Sequence, residues 1–170
     1  MKTFASTFIF SLSIMFLLNS CAPTKEDAMN YNDKIIKEQK KIVENEKQFI
    51  SAVKENLTKG PTLDNILKDL STQIDESKKV VEGMDKFNGK SDFKDAALKF
   101  IGAYRNVVDN EYKAWLKNLK TPDELVTNDV IYEEEELVHA INRKLDKANN
   151  DFLDAQKEFA ATYKFKLADK

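Results

Sequence analysis

Residues 138–163 read VHAINRKLDKANNDFLDAQKEFAATY. Within them Val138, Ile141, Leu145, Ala148, Phe152, Ala155 and Phe159 recur at alternating spacings of three and four, and Tyr163 follows one turn later. That period places every one of these side chains on a single stripe of an α-helix, the seam by which a helix packs into a bundle. A helix with one apolar stripe cannot bury it alone, so the rest of the chain must supply partners.

Three partners are legible upstream. The first carries Ile35, Ile36, Ile42, Val43, Phe49, Ile50, Val53 and Leu57, and the second Leu63, Ile66, Leu67, Leu70, Ile74, Val81 and Met84. The third carries Phe93, Ala97, Phe100, Ile101, Tyr104, Val107, Val108 and Trp115. Thr24 with Asp27 three residues on predicts the first start, and Gly60-Pro61 the first stop; Thr62 restarts the chain and Asn88-Gly89 closes the second helix. Ser91 opens the third, and Thr121-Pro122-Asp123-Glu124 reads as a capping box opening the fourth, which "DELVTNDVIYEEEE" can break near Asn128. Short turns make neighbouring helices antiparallel. The expectation is an all-α, up-down-up-down four-helix bundle with long first and last helices, both ends of the chain at one pole and the loops "TKGPT" and "LKTPDE" at the other.

Composition favours the same class. The chain has 170 residues with 4 Gly and 3 Pro, and few β-branched runs. It has 27 Lys and Arg against 29 Asp and Glu, and only Arg105 and Arg143 as guanidinium donors. That balance argues against nucleic acid, which needs clustered basic side chains on one face.

The one cysteine, Cys21, stands behind a positive residue, Lys2, and the apolar run Phe8 to Leu18. Thr3, Ser6, Thr7, Ser11 and Ser13 interrupt that run and Asn19 ends it, too soon for a span of about 20 apolar residues. The pattern is that of a secretory signal. Its end, Leu18-Asn19-Ser20-Cys21, resembles the lipobox of bacterial lipoproteins. The resemblance implies cleavage before Cys21 and acylation of its thiol, with Leu18 three positions before the cysteine and Ser20 immediately before it. Residues 1–20 are then a removed signal, 21–30 the lipidated Cys21 and a short tether, and 31–170 a single helical-bundle domain. Ala22, where retention in the inner membrane is associated with Asp, points to the outer membrane. A further stretch, "YNDKIIKEQKKI" at 31–42, resembles the first helix of small all-helical surface lipoproteins of spirochaetes and other diderm bacteria, through Tyr31, Asn32, Asp33, Ile35, Ile36, Gln39 and Ile42. That resemblance implies an envelope location and a helical fold, and no catalytic residue.

Chemistry-bearing residues are few. Glu136 and His139 form Glu-x-x-His, but His139 is the sole histidine and both residues face away from the Ile141-Leu145 seam. With Cys21 spent on lipid and His139 outward, nucleophilic catalysis lacks its parts, and no enzyme activity is expected. By helical phase Glu46, Glu111 and Glu134 fall on inner stripes at similar depth from the distal pole, and Ser77 and Gln39 are the other polar residues on the inner stripes. They form a candidate internal polar site for a divalent cation or small polar ligand. The alternative is that they stay wet at a flared pole, or pair with Tyr104 and nearby lysines. No cofactor is otherwise expected. "EEEE" at 133–136 reads as a solvated face able to meet a basic partner or divalent ions, and "TYKFKLADK" at 162–170 as a frayed end, or as a segment whose aromatics and lysines rest on lipid headgroups at the anchored pole. The first expectation is a membrane-anchored, non-enzymatic module meeting an envelope or extracellular protein, or a second copy through helices one and four.

Overall fold

Thr24 opens the first helix as the sequence predicts. Its Oγ1 accepts the Asp27 amide at 3.1 Å while the Asp27 carboxylate accepts the Thr24 amide at 2.8 Å, which satisfies two donors that the helix end would otherwise leave bare. The computed structural model describes residues 22–55 and 62–167. Their elements are α1 (Lys25–Lys54), α2 (Thr62–Glu82), α3 (Asp92–Val107), a π-helical turn (Val108–Tyr112), α4 (Lys113–Leu119), a 3-10 turn (Asp123–Leu125) and α5 (Asn128–Thr162). Because α3, the π turn and α4 follow without a gap, four helical rods form an all-α bundle, and α1 and α5 are long at 30 and 35 residues. The lipobox residues, Cys21 and Gly60-Pro61 lie outside the described residues. None of the described helices is long and apolar enough to cross a membrane.

Cross-helix contacts give the direction of each rod. Tyr31 donates to the Asp85 carbonyl at 3.0 Å and Ser77 to Glu38 at 2.9 Å, so α2 runs back along α1. Lys94 reaches the Glu82 carbonyl, Arg105 reaches Ser71 and Lys120 reaches Asp64, so α3 and α4 run back along α2. Phe93 stacks on Phe159, Phe100 meets Phe152, and Lys144 meets Glu111, so α5 returns along that rod.

The core is a column of apolar side chains ending in an aromatic knot where α1 begins and α5 ends. Phe159 lies with its ring centre 4.8–6.0 Å from those of Tyr31, Phe87, Phe93, Tyr163 and Phe165. Phe87 gets there through Asn88 and Gly89, whose φ values of 51° and 74° make the two-residue reversal that Asn-Gly favours and bring the Lys90 amide onto the Phe87 carbonyl at 2.9 Å.

Three boundaries differ from expectation. First, the helix already runs from Lys25 and Ala28 is fully buried, so most of the expected tether over 21–30 belongs to the body. Second, the capping box at Thr121 does not form, because the Thr121 amide is spent on the Asn118 carbonyl at the end of α4 and Pro122 is extended. The result is one 3-10 turn, and α5 starts only at Asn128, the break that the sequence allowed. Third, the C-terminal segment is not frayed as far as Leu167. Lys164 takes φ 56°, its amide donates to the Ala161 carbonyl and that of Phe165 to Ala160, which is the helix-ending motif usually completed by glycine, and Phe165 is buried. Lys164→Gly is therefore expected to stabilise the protein by about 1 kcal/mol, read as a higher urea midpoint with unchanged slope; a lower midpoint would contradict this reading.

Candidate functional site

Among the sequence-predicted site residues, Glu46 has the most developed surroundings. It lies in the C-terminal half of α1 and its carboxylate accepts the Tyr112 hydroxyl at 2.6 Å and the Tyr104 hydroxyl at 3.3 Å, while Asn149 of α5 approaches the Tyr104 oxygen at 3.5 Å. In an unbroken α-helix residues eight apart would sit about 80° out of phase, which would turn Tyr112 away from the face that Tyr104 presents. The π turn at Val108–Tyr112 advances less per residue and takes up that phase difference. Both tyrosines are buried. Burial first, and then the Glu46 charge, hold their phenols far above the usual range, so they stay donors at any physiological pH.

Burial also raises the Glu46 carboxyl above its ordinary value, against the opposing effect of the Tyr112 and Tyr104 hydrogen bonds and the nearby Lys47. A carboxyl raised by folding stabilises the fold below its unfolded value near 4.5, and that contribution is lost as pH rises through the folded value. Relative to Glu46→Gln, the native protein should therefore gain melting temperature as pH falls from neutrality toward 4.5. A difference that does not change with pH would contradict this assignment. Glu134 is also raised, by burial and then by Glu133, but it is present in both proteins and cancels in the comparison.

The other candidates do not join Glu46. Glu111 pairs with Lys144 at 2.7 Å through one oxygen, while its Oε2 is buried without a hydrogen-bond partner. Glu134 is half-buried near the start of α5, and no hydrogen bond or ion pair holds its carboxylate among the described residues. Ser77 is fully buried and donates to Glu38, a buried carboxylate outside the expected set. Its signal was there, since Ile35, Glu38 and Ile42 follow the spacing of an inner stripe. Lys41 completes that pair at 2.8 Å. Gln39 lines a groove of about 830 Å³ between α1 and α5, one heptad from a clasp in which Gln156 donates to the buried Asn32 at 2.9 Å. Among the described residues no three His, Cys, Asp or Glu side chains converge as metal ligands. Glu136 and His139 are both exposed.

A second feature lies at the opposite end of the bundle from Lys25. Leu125, Val126, Ile131, Tyr132 and Val138 are 36–65% exposed, and the only other large hydrophobic side chains so exposed among the described residues are Met29 and Val80. The same stretch holds Asp123, Glu124, Asp129 and Glu133 to Glu136, with no basic residue between Lys120 and His139. None of those seven carboxylates makes an ion pair among the described residues.

Comparison with protein-family models, curated proteins and solved structures finds no match to this chain.

Proposed function

We propose that the chain is a lipid-anchored lipoprotein of the bacterial cell envelope, held at the outer membrane by acylated Cys21, and that its helical body is a non-enzymatic interaction module. The observation that carries the interaction role is the gathering of exposed apolar side chains within residues 125–138, far along the bundle from the Cys21 end. Scattered exposed hydrophobics need no explanation, whereas a concentration of them rimmed by charge is the usual mark of a contact surface. The lipobox resemblance supports the anchor. With α1 starting at Lys25, only residues 22–24 separate the body from Cys21, so the aromatic-knot pole rests at the bilayer and the 125–138 end stands away from it by the length of α5, about 50 Å.

A fractionation experiment tests this reading. The protein should stay with outer-membrane vesicles through an alkaline carbonate wash, and recovery in the wash would count against it. A second reading, binding of a small polar ligand, is favoured by the amide-lined groove that Gln39 borders. It would gain if calorimetry of the protein showed a raised melting temperature with a polar ligand and the Gln39→Ala variant lacked that response.

A further inference from the structure

We propose that the tip formed by residues 122–138 is the docking site of a basic amphipathic helix from another protein, with Ile131, Tyr132 and Val138 as its apolar contacts and Glu133, Glu135 and Glu136 as its charged rim. The proposal deepens the interaction reading above by naming the surface and the chemistry of its partner, and it does not depend on acylation of Cys21.

Spacing comes first. Ile131 and Val138 are one heptad apart on α5 and share an outward face, with Tyr132 one position round. At the helical period Glu135 stands between Ile131, Val138 and Tyr132, and Glu136 beside Tyr132, so carboxylates lie within and along that face and favour a partner of opposite sign. Because the apolar and acidic side chains lie within about one helical turn of one another, closer than the Debye length of about 8 Å at physiological salt, anything docked on the first must meet the field of the second.

Charge then decides the occupant. Residues 121–138 hold seven carboxylates and no Lys, Arg or His. After removal of Lys2 with the signal, the rest of the chain holds 26 basic and 22 acidic residues, a formal excess of four positive charges. A second copy docking tip to tip would bring seven negative charges against seven. An anionic lipid surface would be repelled in the same way. A helix with leucine-like side chains on one stripe and Lys or Arg beside it meets both demands at once. The site is also preformed, since half-buried Val130, Glu134 and Leu137 turn the adjoining side of the same helix toward the bundle.

The test uses the acylated full chain in zwitterionic nanodiscs, with empty discs as the blank, and a fluorescent synthetic helix of Leu at the seam positions and Lys elsewhere. The expected result is saturable binding that weakens at least about tenfold in the triple variant Ile131→Ser, Tyr132→Ser, Val138→Ser. Glu133→Gln, Glu135→Gln, Glu136→Gln should weaken it too and flatten its salt dependence. All six side chains are exposed or at the rim, and unchanged melting curves would show that neither variant misfolds. Equal binding by native protein and the serine variant would overturn the proposal. So would equal capture of a Lys-Ser peptide of the same charge, which would mean charge attraction alone. A concentration-dependent dimer in the ultracentrifuge that the serine variant abolishes would instead assign the face to a second copy. Peptide binding absent from a protein that is acylated and membrane-held would sink this inference and leave the lipoprotein reading standing; capture by a protein whose Cys21 is unmodified would do the reverse.

Discussion

Phe159→Ala is expected to destabilise the protein by about 3–5 kcal/mol, the range for removing a buried aromatic ring from a core that cannot collapse around the gap. The reason lies in who surrounds it. Its ring neighbours come from α1 (Tyr31), the turn after α2 (Phe87), α3 (Phe93) and the chain end (Tyr163, Phe165), so one side chain ties together every segment at the Lys25 pole. These walls belong to separate helices and are each held by other contacts, such as Lys94 on the Glu82 and Met84 carbonyls, which keeps them from closing on the cavity. With a single cysteine in the chain, no intramolecular disulfide can compensate. At about 3 °C per kcal/mol for a body of this size the melting temperature should fall by about 9–15 °C. Phe159→Leu, which keeps most of the volume, should lose much less. Equal melting of the alanine variant and the native protein would show that the knot is not packed as described.

Cys21→Ser is expected to abolish lipid attachment altogether. A serine hydroxyl at that position offers no thiol for the thioether on which lipoprotein maturation depends, so the change removes every acyl chain at once rather than weakening one contact. Each buried methylene contributes about 0.8 kcal/mol to membrane partition, and two chains are enough for stable anchoring where one gives only marginal, reversible binding. Metabolic labelling with radioactive palmitate should mark the native protein and leave the serine variant unlabelled and at precursor length. A variant that is still labelled and still processed would place the acylation elsewhere.

Much of this fold can be read in the amino-acid order, and the exceptions share physical causes. The Ile141-to-Phe159 stripe and the Thr24 cap are local patterns with a fixed period or a fixed pair, and they recur in the structure. Val138, taken as part of the same seam, is 36% exposed, because its counterpart rod there is α4, a seven-residue helix whose one buried residue is Leu116. A wheel drawn at α-helical phase turns Tyr112 away from Glu46, and the π turn brings it back. Phe165 shows no local signal of its burial, because Lys164 stands where the helix-ending motif normally has glycine. Of the internal carboxylates, Glu46 meets Tyr104 and Glu111 meets a lysine, the partners expected in place of a ligand site, while Tyr112 and the buried Glu38 are additions of the structure. The tip was legible only as an acidic run. The failure of the Thr121 box adds Leu125 and Val126 outside any long helix, while Ile131, Tyr132 and Val138 are exposed on α5 itself.

The most direct test of the account is the mass of the N-terminal peptide of the protein isolated from membranes. A peptide that begins at Cys21 and carries the added mass of a diacylglyceryl group is the predicted result. A peptide that retains residues from the 1–20 stretch, or one that begins at an unmodified Cys21, would contradict it.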